Sequence, residues 1–275
     1  MYKTLQDTTT LSNGVKMPVF GLGVFKMEGA EAVEAVRHAI DEGYRAIDTA
    51  SMYKNEKEVG EAIKQCNVPR EDLFITTKVW NSDQGYESTL AAFDKSLEAL
   101  GLDYVDLYLI HWPVKGKYKE TWKALEKIYR GGKAKAIGVC NFQPHHLEDL
   151  MSAAEVKPMV NQVELHPLLS QEEVRDYCSK HDMKVIAWAP LGHGSVLENP
   201  TLKRIADKHG KTTAQITLRW DLQNGVLVIP KSSKKERIIT NSEIYDFELS
   251  AEDMRIIDAM NKNERTGPDP DHFDF

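Results

Sequence analysis

The feature that most constrains this chain is a recurrence. Short apolar runs alternate, over almost the whole length, with longer segments that carry charge on one face. The runs fall at Phe20–Phe25, Ala46–Thr49, Leu73–Val79, Val105–His111, Ala136–Cys140, Val160–Glu164, Val185–Trp188 and Val226–Pro230. Helical periodicity lies between them, near Ala30–Glu42, Glu56–Gln65, Glu87–Leu100, Lys119–Arg130, Pro144–Met151, Gln171–Lys180 and Thr213–Asn224, with a further helix about Ala251–Asn261. Runs without polar alternation suit strands covered on both faces, as in a parallel sheet. About eight such units is the number that closes a (β/α)8 TIM barrel. A doubly wound open sheet would carry a glycine-rich turn after its first strand. Here that turn is Gly21-Leu-Gly23-Val-Phe-Lys26, which lacks the third glycine. Ahead of the first run, TTTLSNGVKMPVFGLGV reads as an N-terminal β-hairpin turning at Ser12-Asn13-Gly14. No low-complexity linker divides the chain, so a single domain over residues 1–275 is expected.

Composition narrows the function classes. Of 275 residues, 41% are hydrophobic and 28% charged, enough apolar material for one sizeable core. The net charge of −7, with no dominant basic stretch, argues against nucleic acid as a partner. No apolar run approaches a membrane span, and MYKTLQDTTTLSNG has no apolar signal-peptide region. Three scattered cysteines, Cys66, Cys140 and Cys178, form no CxxC and suit free thiols in a reducing compartment, so the cytoplasm is expected.

In such a barrel, chemistry gathers at the C-terminal ends of the strands. The runs deliver Asp48, Lys78, His111, Cys140-Asn141, Gln162, Glu164, Trp188 and Lys231-Ser232 to that end, with Tyr53 in the loop after the second. Each has an ordinary reading alone. Asp48 could cap a helix, Lys78 could be a solvated charge, His111 a hydrogen-bonded core histidine and Tyr53 a surface phenol. As a set they can do more. An ammonium beside a phenol lowers its pKa from about 10, a carboxylate holds the ammonium in place, and a neutral imidazole can donate to a substrate oxygen. That is a proton donor aimed at a carbonyl becoming an alkoxide, provided a hydride source binds beside it.

GYRAIDTASMYKNEKEVG closely resembles the first signature of the aldo-keto reductases. KVWN, LYLIHWP, IGVCNF, NQVELHP, AWAPLG and VIPKSSKKERIITN resemble the same family in the same order. The resemblance implies a monomeric (β/α)8 barrel that reduces aldehydes and ketones with NADPH. It makes Tyr53 the general acid, Lys78 with Asp48 the pair that tunes it, and His111 the group that orients the carbonyl. It assigns Asn141 and Gln162 to the nicotinamide carboxamide, beside Cys140 where relatives carry serine. Trp188 takes the place of the usual stacking tyrosine. Leu191 and Gly192 would line the pyrophosphate. Lys231, Ser232 and Arg237 would hold the adenosine 2′-phosphate and Asn241 the adenine, with Thr240 where Glu or Gln is common.

Phe25, Trp80 and Trp112 match aromatic pocket positions of the family. The loop after His111 and the tail ERTGPDPDHFDF are short, which suggests an open cleft for small carbonyls such as glyoxal, methylglyoxal or diketo sugar acids. A second class, a regulatory subunit that binds NADPH and turns over slowly, shares the same residues. His145-His146, His166 and Glu164 have no standard zinc spacing, so no metal is expected. The two adjacent histidines read as surface residues early in a helix, His166 as structural, and His193 as a loop residue. Cys66 and Cys178 read as buried helical residues.

Overall fold

The computed structural model describes residues 2–275. Two short strands, β1 (Thr8–Thr10) and β2 (Lys16–Pro18), pair antiparallel with Thr10 opposite Lys16. This is the expected hairpin; Gly14 takes φ +87°, the conformation its turn requires. Eight strands follow in a second, parallel sheet: β3 (Gly21–Gly23), β4 (Ala46–Asp48), β5 (Phe74–Val79), β6 (Val105–Ile110), β7 (Ala134–Cys140), β8 (Val160–Glu164), β9 (Lys184–Trp188) and β10 (Leu227–Val228). They neighbour one another in chain order. The sheet closes on itself where Val228 N donates to Val19 O at 3.1 Å and Gly23 N to Pro230 O at 3.2 Å. The result is the expected (β/α)8 barrel.

The outer layer comprises α1 (Gly29–Asp41), α2 (Glu56–Gln65), α3 (Tyr86–Leu100), α4 (Tyr118–Arg130), α5 (Pro144–Met151), α6 (Glu172–Lys180), α7 (Pro200–His209), α8 (Thr213–Gln223), α9 (Lys235–Ser242) and α10 (Ala251–Asp258). Two of these, α7 and α9, are absent from the sequence expectation. For α7 the end signals are present: Pro200 opens it, and the Asn199 side chain accepts from Thr201 N at 2.9 Å. Helix α9 buries only Ile238 and Asn241, too few apolar positions to show a period. It is α9 that follows the eighth barrel strand, so α10 lies outside the eight units. Strand β10 is shorter than expected because Pro230 has no N–H to offer a ladder. Cys66 lies just past α2, half-buried rather than buried in a helix, whereas Cys178 is buried in α6.

The strands are buried on both faces, as their composition requires; every residue of β5 and β6 is buried. The hairpin covers the N-terminal end of the barrel, where Asn13 donates to Lys135 O at 2.9 Å and Leu11 and Met17 join the core. The C-terminal end holds an open cleft. No helix among the described residues is long and apolar enough to cross a membrane.

The helices pack closely on one another. A Cβ added to Gly60 of α2 would stand 2.1 Å from the carbonyl oxygen of Leu100, at the end of α3. Gly→Ala inside a helix ordinarily stabilises by about 1 kcal/mol. Here the overlap is with backbone, and the sign reverses. Gly60→Ala should destabilise by roughly 1–3 kcal/mol, read as a lower denaturant midpoint at unchanged slope.

Candidate active site

The open end gathers most of the polar residues that the sequence places at strand ends. Lys78 sits near the end of β5 with no exposed surface. An unpaired ammonium there would be strongly destabilising. Each of its three protons has an acceptor: a carboxylate oxygen of Asp48 at the end of β4, the carbonyl of Thr49 at 2.9 Å, and the phenol oxygen of Tyr53 at 3.4 Å. The second Asp48 oxygen accepts from Gln162 Nε2 of β8 at 2.7 Å. Burial pushes the Lys78 pKa down, but Asp48 and its other neighbours outweigh it, and the net shift is upward. Its partners thus favour the charged ammonium.

Tyr53 is held by local structure. It ends a short 3₁₀ turn, Ser51–Tyr53, in which Ser51 Oγ donates to Lys78 O at 3.0 Å. The next residue but one, Asn55, is wholly buried. Its amide donates to the carbonyls of Val24 and Met27, both at 2.9 Å, and accepts from Thr49 Oγ1 at 2.7 Å. This side chain ties the exits of β3 and β4 together beneath the phenol. Lys78 donates to the phenol oxygen, so the Tyr53 O–H is left to point into the cleft. Burial pushes its pKa up to about 12, the Lys78 charge pulling against it and Asp48 adding to the rise. Lys78 thus moderates a burial effect larger than its own.

His111 follows β6. Its N–H donates to Val79 O at 3.2 Å and its carbonyl accepts from Asn141 Nδ2 at 3.0 Å. The ring meets Tyr53 edge-on with centroids 5.7 Å apart, and Trp80 at 5.0 Å. Burial first, and then the Lys78 charge, hold its pKa well below the usual imidazole value, so the ring is neutral. Its Nδ1 is buried without a partner among the described residues.

These groups line a cleft of about 520 Å³. Phe25, Trp80 and Trp112 form its aromatic wall, and Cys140, Asn141, Gln162 and Trp188 continue it toward Lys231. Asn141 follows β7 in the left-handed region, φ +63°, which asparagine tolerates better than most residues. Its Oδ1 accepts from Trp188 Nε1 at 2.8 Å. Gln162 is oriented by chemistry: only its NH₂ can face the Asp48 carboxylate. Burial raises the Cys140 thiol pKa, so it stays protonated. His193 also lines the cleft, 6.2 Å from the Trp188 ring.

Leu191, Gly192, Ser232, Arg237 and Asn241 do not line this cleft. They lie in the loop after β9 and along the β10–α9 segment. Ser232 Oγ accepts from Lys234 N at 3.2 Å, and Asn241 is buried in α9. No described carboxylate lies within ion-pair distance of Lys231, Lys234, Lys235 or Arg237, unlike many cations elsewhere on the surface. Unneutralised cations at a helix start form a donor set suited to a phosphate. The open indole of Trp188 suits a planar ring.

Sequence reasoning missed Asn55, whose role depends on contacts distant in sequence. It set the C-terminal tail at the rim of the cleft without naming residues, and Thr266, Gly267, Pro268 and Phe275 of that tail line the cleft. The tail's Asp271 meets His145 and His146, and the three ligand atoms lie within 4.8 Å of one another. His146 Nδ1 accepts the Gln143 N–H at 3.1 Å, so its Nε2 carries the proton and faces Asp271 as a donor. The cluster reads as an anchor for the tail.

Comparison with known proteins accords with this geometry. The family model described as the Aldo/keto reductase family matches residues 19–262. The chain is 63% identical to glyoxal reductase of Bacillus subtilis (strain 168), over 100% of both chains. It is 44% identical to methylglyoxal reductase DkgA of Escherichia coli (strain K12), over 96% of both. A crystal structure of a Gox0644 mutant in complex with NADPH superposes with a TM-score of 0.94 at 44% identity, over 98% of this chain and 99% of that one. A barrel of this topology, with a family match across most of its length, belongs to the aldo/keto reductase family.

Proposed function

We propose that this protein reduces small aldehydes and dicarbonyls, such as glyoxal and methylglyoxal, to alcohols with NADPH, and that Tyr53 delivers the proton. The observation that carries this reading is the saturation of Lys78. With its three protons committed, one of them to the phenol oxygen, the Tyr53 O–H is the donor left facing the cleft.

NADPH, when bound, supplies the hydride that the carbonyl carbon accepts. The remaining work falls to side chains. Tyr53 and neutral His111 offer hydrogen bonds to the carbonyl oxygen and polarise it. As negative charge grows there, Tyr53 gives up its proton, because an alkoxide is a stronger base than a phenolate. The resulting phenolate lies beside the Lys78 charge and is reprotonated from solvent. Asp48 keeps Lys78 in place throughout. Asn141 and Gln162, with Cys140 beside them, would hold the carboxamide, and Trp188 would stack on the ring. Leu191 and Gly192 would face the pyrophosphate, Lys231, Ser232 and Arg237 the 2′-phosphate, and Asn241 the adenine. The aromatic wall of Phe25, Trp80 and Trp112 accommodates an apolar substrate of modest size, and the glyoxal and methylglyoxal reductases among the relatives support that class. We further propose a monomer of one domain working in a reducing compartment such as the cytoplasm, where its three free cysteines stay reduced.

Purified protein should oxidise NADPH when methylglyoxal is added, and much more slowly with NADH. Absence of turnover with any small aldehyde would refute the reading. Arg237→Ala should raise the KM for NADPH roughly tenfold or more, the scale of one charge-assisted hydrogen bond, and leave the KM for NADH unchanged. Lys78→Met removes the cation that pulls the phenol pKa down, so that pKa rises further above about 12. Reduction should slow by roughly 10²-fold or more at pH 7 with little change in NADPH affinity. Wild-type reduction should lose no activity to Tyr53 ionisation near neutrality, since the phenol stays protonated well below about pH 12.

A further inference from the structure

After α10 the chain crosses the open end of the barrel as a strap fastened at several places, three of them side-chain anchors at its start, middle and end. Its middle is held by Asp271 against His145 Nε2 at 2.9 Å and His146 Nε2 at 3.3 Å. Its end is held by Phe275, which stacks on Trp80 with centroids 5.7 Å apart and an interplanar angle of 4°. The third fastening, at Glu164, is the most deeply buried and has no part in the mechanism above.

Glu164 is the last residue of β8, with no exposed surface. Its Oε1 accepts from Thr266 N at 2.6 Å and from the Thr266 hydroxyl, and Oε2 accepts from Gly267 N at 3.1 Å. His166 Nε2 lies 3.0 Å away and, facing a carboxylate, carries its proton. Burial alone would raise the pKa of this carboxyl. The donors outweigh burial and leave it at about 2. A depressed carboxyl contributes stability above its unfolded value of about 4.3 and loses it only as pH falls through the folded one. At neutral pH the anchor is fully ionised.

In register, Glu164 pairs with Trp188 on β9. Gly267 touches both residues. A Cβ on Gly267 would stand 2.5 Å from Trp188 Cη2 and 3.3 Å from Glu164 Oε2. The strap backbone is thus pressed onto the benzo edge of the indole. The opposite edge of the same ring is held by the bond from Nε1 to Asn141 Oδ1 at 2.8 Å. Held at two edges, an indole cannot turn about either χ angle without breaking a contact.

We propose that Glu164 is a positioning residue for the cofactor site: by clamping Thr266–Gly267 it fixes the plane that Trp188 presents to the nicotinamide. The inference rests on the reductase reading given above. It links substrate cleft and cofactor site through one segment, because the strap residues that Glu164 holds also line the cleft.

Three measurements test it: NADPH affinity by fluorescence quenching, hydrogen exchange at the Thr266 and Gly267 amides, and steady-state kinetics with methylglyoxal. Glu164→Gln replaces an acceptor with an amide whose NH₂ opposes the strap donors. It should speed exchange at both amides and raise the NADPH dissociation constant roughly tenfold. Gly267→Ala keeps the carboxylate and directs a methyl group into the indole, at a backbone conformation alanine adopts freely. It should weaken NADPH binding with exchange at Thr266 still slow, and it serves as the second variant if Glu164→Gln does not fold. In a Trp188→Ala background, Glu164→Gln should have no further effect on NADPH affinity. A raised KM for methylglyoxal with unchanged NADPH affinity in both variants would make Glu164 a fastening only and overturn the proposal. Equal effects with and without Trp188 would overturn it too. Wild-type protein that fails to bind NADPH would instead refute the reductase reading, while native exchange rates in Glu164→Gln would refute the clamp independently.

Discussion

The structure of the open end depends on one buried ion pair. Lys78 and Asp48 are each almost completely out of water, and desolvating two such charges costs several kcal/mol per ion. That cost is offset only if every donor and acceptor is satisfied. The barrel does this with four groups from three places: Asp48 and the Thr49 carbonyl at the exit of β4, the Tyr53 phenol in the following turn, and the Gln162 amide from β8 across the barrel. A well-packed apolar pair would satisfy the same volume with less risk. The charge has a consequence that an apolar pair lacks: it fixes which atom of Tyr53 accepts and which donates. Stability and the proposed chemistry therefore draw on the same contact.

How much of this was legible in the sequence follows from what each feature depends on. The barrel was legible because parallel strands covered on both faces are mostly apolar, as Val105–Ile110 is apart from Asp106, which pairs with Arg70 and Lys135. The placement of Asp48, Lys78, His111 and Gln162 followed from strand ends alone. Helix α9 was not legible, because two buried positions make no period. The sequence expectation gave the direction in which Lys78 moves the Tyr53 pKa, but it could not weigh that against burial, which the structure shows to be larger. Asn55 and the Trp188–Asn141 bond escaped for another reason. Both join segments far apart in the chain, and nothing in either residue type announces its partner.

The tail is a further case of that kind. The sequence reads it as a short rim that leaves the cleft open. In the folded protein its residues find a buried carboxylate, two histidines and an aromatic stack, and it becomes one wall of the cleft. Residues of β8 thereby serve both ends of the site. Gln162 steadies the ion pair below, and Glu164, two residues on, steadies the strap above. A strand that alternates its side chains places both on the same face.

The central claim is that the Tyr53 O–H is the proton donor. Its most direct test is a single-turnover reduction of methylglyoxal by enzyme preloaded with NADPH, comparing wild type with Tyr53→Phe. Phenylalanine keeps the ring packed against Phe25 and His111 and removes only the hydroxyl. The account predicts a rate lower by roughly 10²–10⁴-fold, with NADPH binding nearly unchanged. A rate close to wild type would place the proton donor elsewhere and contradict it.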